Sequence, residues 1–178
     1  MLKINKMMTA TTYSKDEEMP LSEAADIDLQ YQTERGKPMP SYNHAYLQLE
    51  IGFQLKVKYN AEFDILSELS LDLSSGKAVP DLCIYPKKAQ NWQRDIIKYK
   101  IAPLLAIEIL SPKQAFDDLV DKIQDIYFPA GVLSAWIVVP SAESVILFKP
   151  NEKPETFSKT IVQDSASKFE LDLRLIFN

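Results

Sequence analysis

Apolar positions along the chain change period several times. Tyr42, Tyr46, Leu49 and Phe53 recur at steps of three and four, which predicts an α-helix over roughly 42–58. The lead-in Arg35-Gly36-Lys37-Pro38-Met39-Pro40-Ser41 is turn-rich; its prolines forbid a helix, and Ser41 or Asn43 can cap the one that follows. Residues 63–73 read as a strand, with clear alternation from Leu69 onward, and Ser74-Ser75-Gly76-Lys77 supplies hairpin chemistry. The returning strand is predicted over 79–85. Residues 104–110 are apolar but for one position, the mark of a central strand covered on both faces. A helix over about 115–129 follows, with Phe116, Leu119, Val120, Ile123, Ile126 and Tyr127 inward and Asp118, Asp121 and Asp125 outward. Strands near 134–139 and 144–149, a turn at 151–154, a closing hairpin near 157–171 and a short apolar helical tail at 173–177 complete the prediction. This order predicts an α/β (α+β) fold with a mixed central sheet flanked by helices.

Length bounds the organisation. The 178 residues suffice for one domain with a real core and are few for two. Residues 1–22 are polar and rich in Met and Thr, so the expectation is a loosely held tail followed by a single domain over 23–178. The lysines near the start are not followed by an apolar signal segment, and no stretch approaches the ~20 apolar residues of a membrane span. A cytoplasmic location is expected. The net charge of −5 argues against coating nucleic acid by charge alone, though a basic groove on an acidic body remains compatible. Residues 86–103 are locally basic, with Lys87, Lys88, Arg94, Lys98 and Lys100; Lys56 and Lys58 add two more cations. The single cysteine, Cys83, lies in an apolar run and excludes an internal disulfide or a cysteine-based zinc site.

Three charged residues do not suit a plain structural domain. Glu108 interrupts an otherwise apolar strand, and burying an unpaired carboxylate costs several kcal/mol or forces protonation. Asp81 follows Pro80 at the entry of a neighbouring strand, where plain turn chemistry would also explain it. Two carboxylates on adjacent strands can hold one hard cation; Mg²⁺ suits such a pair because it keeps several waters, and Mn²⁺ is the close substitute. Lys122 lies at the border of the apolar stripe of its helix, where its stem can follow the apolar surface toward the strand ends. Pairing with Asp118 at i,i+4 is the plainer reading of that lysine. The chemistry these three would support is phosphodiester hydrolysis, with Asp81 and Glu108 binding metal and Lys122 orienting or helping to deprotonate water. His44 is the sole histidine, which excludes a multi-histidine centre and leaves it as a cap, a polar contact or a cleft residue. With four glycines and no phosphate-binding glycine loop, a nucleotide cradle is not expected. Trp136 reads as core, and Trp92 as a satellite anchor or a surface contact.

Val79-Pro80-Asp81, then Ile107-Glu108-Ile109-Leu110-Ser111-Pro112, then Asp118 with Lys122 and Tyr127, and finally Gly131-Val132 leading to Trp136-Ile137-Val138-Val139-Pro140 form an ordered set. Gly36 and His44 match more loosely. In this order and spacing, over about residues 35–150, the chain resembles the bacterial family of "putative restriction endonucleases", a branch of the PD-(D/E)XK nuclease superfamily. The resemblance implies a restriction-endonuclease-like core, Asp81 and Glu108 as metal ligands, and a catalytic lysine moved from the position of Leu110 to Lys122 on the next helix. Relatives carry an acidic residue where this chain has Gln32, and Glu34 or Glu50 are the nearest substitutes. The usual acidic residue before the proline is Val139 here.

The function expected is therefore a Mg²⁺- or Mn²⁺-dependent DNA endonuclease acting as a homodimer, with His44, Glu34, Lys87 and Lys88 as cleft or substrate contacts. The alternative is an inactive nuclease-fold protein that binds nucleic acid or a protein partner, its Asp81, Glu108 and Lys122 kept as an ion-pair network. Hydrolysis of another phosphoester is a third reading. No helix-turn-helix or zinc finger points to a recognition sequence.

Overall fold

The computed structural model describes residues 39–177; the expected N-terminal tail, Gln32, Glu34 and Gly36 lie outside them. The first helix, α1 (Tyr42–Tyr59), starts at Ser41, which has extended backbone and accepts the His44 amide on its side-chain oxygen at 3.3 Å. Its boundaries agree with the predicted helix, but the four residues whose spacing predicts it do not face the core. Tyr42, Tyr46, Leu49 and Phe53 are exposed, whereas His44, Leu47, Ile51 and Leu55 are buried. Both sets have helical spacing. The inner set packs on the sheet, and Gly52 lies beside it without crowding: a Cβ there would meet the Leu82 side chain at 3.4 Å, an ordinary contact.

The layer beneath α1 is a six-stranded mixed sheet. Its strands are β1 (Phe63–Ser67), β4 (Leu82–Pro86), β5 (Leu105–Ile109), β6 (Ser134–Val139), β7 (Ser144–Phe148) and β8 (Glu155–Ser158), side by side in that order. All neighbours are antiparallel except β5 and β6, the one parallel pair, which α2 (Phe116–Lys122) connects. Small hairpins stand apart from the sheet: β2 (Leu71–Leu73) with β3 (Gly76–Ala78), and β9 (Ile161–Gln163) with β10 (Glu170–Asp172). The expected closing hairpin near 157–171 thus divides, β8 joining the main sheet and β9 pairing with β10.

The strand expected over 63–73 is broken in two. Glu68 adopts the left-handed conformation (φ 52°), and its amide donates to the Asp81 carbonyl at 3.2 Å. The chain therefore leaves the sheet after Ser67, forms the β2–β3 hairpin on one face, and re-enters as β4 beside β1. The predicted return strand over 79–85 is shortened for the same reason, starting only at Leu82 and running as β4 to Pro86.

Each face of the sheet carries a core. On one, α1 packs over Ile65, Leu82, Ile84, Leu105, Ile107 and Ile109, with Trp136 and the C-terminal residues extending the cluster. On the other, Leu119, Ile123 and Tyr127 cover Ala106, Ala135 and Ile137 together with the β2–β3 hairpin. Alternate residues of β5 thus serve opposite cores, so its whole side-chain set is buried, as its apolar run predicts. Trp136 is core, and its indole N–H donates to buried Asp164 at 2.9 Å. Among the described residues, no helix is long and apolar enough to cross a membrane.

Candidate active site

The antiparallel register of β4 and β5 sets Leu82 opposite Ile107, so the next pair along the ladder is Asp81 and Glu108. Both carboxylates are 2% exposed. Glu108 shares its sheet face with Ala106 and the α2 core, because side chains alternate along a strand. Asp81 sits at the strand mouth, where the Ile109 amide donates to its Oδ2 at 2.7 Å. His44 Nε2 lies 3.1 Å from the same oxygen. An Nε2–H tautomer of His44 satisfies this contact and leaves Nδ1, which has no hydrogen-bond partner among the described residues, as a bare lone pair. An orphaned N–H would cost more. His44 thereby spans the two layers: it belongs to α1 and holds a carboxylate at the entry of β4. Gln48, one turn further on, donates to the Asp81 backbone carbonyl at 3.1 Å.

Glu108 is held from the opposite side. Lys122 Nζ donates to its Oε2 at 3.2 Å, and the Tyr127 hydroxyl donates to its Oε1. Lys122 is partly exposed, so its ammonium stands between the buried carboxylate and solvent. Tyr127 is fully buried; its phenol is pushed well above the ordinary tyrosine range, first by burial and then by the Glu108 charge, which keeps it a hydrogen-bond donor. The same two causes push the Cys83 thiol up to about 12.

One local irregularity brings both donors to a single carboxylate. In a regular α-helix, residues five apart are separated by about 140° around the axis. Here α2 passes at Ile123–Tyr127 into a π-helical turn, closed by the Phe128 amide donating to the Ile123 carbonyl at 3.0 Å. The wider turn reduces the angular offset between Lys122 and Tyr127, and both reach Glu108. Single π-helical turns of this kind recur at functional sites. Sequence reasoning placed Tyr127 in the apolar stripe and missed this contact, because a five-residue spacing is no signal in a helix of regular pitch.

Asp81, Glu108, Lys122 and His44 are thus brought together, and Lys87, Lys88 and Glu50 are not part of the cluster. Lys87 pairs with Asp64 at 3.5 Å and donates to the Asn60 carbonyl at 2.9 Å, beyond the other end of β4. Lys88 donates to the Tyr99 hydroxyl at 3.0 Å. Glu50 accepts from Gln54 at 2.7 Å on α1. Lys58 pairs with Glu170.

Among the described residues, no group of three or more His, Cys, Asp and Glu gathers as a ligand set. The donor chemistry available is two carboxylates on adjacent strands, with the neighbouring thiol held protonated. That fits a hard divalent cation retaining several waters, and does not fit zinc, which takes three or four protein ligands.

A mixed sheet with helices on its faces and an acidic pair at a strand mouth defines the class as a nuclease-like α+β fold. A crystal structure of a "putative nuclease belonging to DUF820" from Anabaena variabilis superposes with a TM-score of 0.69; the match covers 79% of this chain and 83% of that one, at 24% identity. The chain belongs to the Uma2 family, described as "Putative restriction endonuclease", whose model matches residues 16–174. No curated protein matches the chain.

Proposed function

We propose that this protein is a divalent-metal-dependent endonuclease that hydrolyses phosphodiester bonds in DNA. The observation that carries the reading is the buried cross-strand pair of Asp81 and Glu108 with the Lys122 ammonium 3.2 Å from Glu108. Family membership supports it. Asp81 and Glu108 would hold Mg²⁺ or Mn²⁺. When bound, the metal supplies Lewis acidity toward the phosphate and lowers the pKa of water. The Ile109 amide and His44 fix the rotamer of Asp81, and Tyr127 fixes that of Glu108. Lys122 is the mobile cation of the group: its partly exposed ammonium can exchange Glu108 for a non-bridging phosphate oxygen or for the attacking water, orienting the one and steadying charge on the other. Cutting both strands of a duplex calls for two such sites, so the working unit is a homodimer.

The test is cleavage of supercoiled and single-stranded DNA with Mg²⁺ or Mn²⁺, with Glu108→Gln and Lys122→Met alongside. The chain as it stands should cut and stop cutting with EDTA. Glu108→Gln should lose at least about a hundredfold, and Lys122→Met about a hundredfold or more. A second reading, a non-catalytic binding module, has one observation on its side: Lys122 and Tyr127 already satisfy Glu108 as a closed network. Absence of cleavage with either metal from a folded chain would sink the nuclease reading in its favour.

A further inference from the structure

The connection between β4 and β5 is the most basic stretch of an acidic chain. Residues 87–101 carry five cations and one carboxylate, against a net charge of −5 overall. They also carry the most exposed tryptophan: Trp92 is 91% exposed and Ile97 is 82% exposed. A freely solvated tryptophan side chain leaves a large apolar face unpaired, and such faces concentrate at contact surfaces. Arg94, Lys98 and Lys100 are exposed, and their charged side chains have no hydrogen-bond or ion-pair partner among the described residues. They contrast with Lys87 and Lys88, which are engaged within the fold.

Several bonds hold this stretch in place. The Lys87 amide donates to the Glu62 carbonyl at 2.8 Å, and buried Asp64 accepts from the Lys88 amide and the Gln90 side chain, each at 3.2 Å. At its far end Tyr99 bonds through its backbone to Ser70 and Asp72, while its ring meets Tyr85 edge-on and lies under Lys88 Nζ at 4.3 Å. Between these anchors the chain folds back along the sheet edge and encloses a cavity of about 290 Å³, lined by Tyr85, Lys88, Asn91, Arg94 and Tyr99. The basic connection starts from the end of β4 opposite Asp81.

We infer that residues 87–101 form a surface for an unpaired nucleic-acid strand, with Trp92 stacking on a base and Arg94, Lys98 and Lys100 meeting the backbone phosphates. An exposed aromatic beside solvated cations is what single-strand binding requires, because every base offers a π-face only when it is unstacked. A duplex hides those faces and would use the cations alone. The inference rests on the nuclease reading for its biological setting, since it supplies that site with a strand.

The test is anisotropy of a labelled oligothymidylate and of a duplex of equal length, using the full chain in EDTA so that no cleavage intervenes. The expected result is that Trp92→Ala weakens single-strand binding about tenfold, spares duplex binding, and is rescued by Trp92→Phe. Replacing Arg94, Lys98 and Lys100 together by Ala should weaken both and flatten the single-strand salt slope by about 2. Because Trp136 is buried, oligothymidylate should also quench the emission of Trp92. Single-strand affinity unchanged in both variants, or no binding at all, would overturn the inference. Cleavage by the native chain with Mg²⁺ or Mn²⁺ separates the two readings: strand binding through the loop without such cleavage defeats the nuclease and leaves this surface standing. Cleavage with indifferent loop variants defeats the surface alone.

Discussion

Cys83 shows how far the Glu108 charge reaches. It lies between Leu82 and Ile84 in β4, and its thiol is pushed from 9.0 up to about 12 by burial and then by that carboxylate. The reactive thiolate is therefore absent at neutral pH. In the folded chain Cys83 should resist a thiol reagent at pH 8 and react at once after unfolding in urea; prompt reaction without urea would mean that β4 opens readily. The same shift links stability to pH. Between about 9 and about 12 the folded state keeps a proton that the unfolded state has released, so stability falls as pH rises through that window. The slope is at most ~1.4 kcal/mol per pH unit, and Cys83→Ala should make the decline of the urea midpoint shallower.

At the scale of elements, α1 is apolar on both sides and buries only one. Leu55 is fully buried over the sheet, while Leu49 is 76% exposed. Leu55→Ala should cost about 2–5 kcal/mol, and Leu49→Ala should stay within about 0.5 kcal/mol, measured as urea midpoints in the same buffer. Equal costs would show that the outer face is covered in solution. This helix also marks where sequence reading is ambiguous. Its existence and ends are legible from spacing and from Ser41, but two interleaved apolar stripes fit the same period, and which of them is buried depends on the sheet it meets, which the spacing does not carry. The break at Glu68 has no marker either, since a glutamate with positive φ looks like any other residue in an alternating run. Asp81 and Glu108 are legible because a carboxylate among aliphatic residues demands an explanation wherever it falls. Tyr127 stands in the motif set, but its contact with Glu108 is not legible, because a tyrosine within an apolar stripe already has an explanation.

At the scale of the molecule, charge is distributed by task. The acidic pair is sunk in the sheet with Lys122 over it, while the unpaired cations stand on the connection that starts from the other end of β4. If two copies are needed to cut both strands, light scattering should return twice the chain mass at working concentration, and a monomer under those conditions would restrict the activity to nicking. The π-helical turn at Ile123–Tyr127 has a consequence of a different kind, for lineage and alignment. A helix cannot shed one residue there and keep both neighbours of Glu108: the shortened turn would carry either the lysine or the tyrosine around the axis by about 100°. A relative lacking that residue would retain every letter of the motif and still present one donor in place of two. Gap placement inside this single turn, more than identity at any position, therefore sorts chains that share this arrangement from those that merely share its spelling.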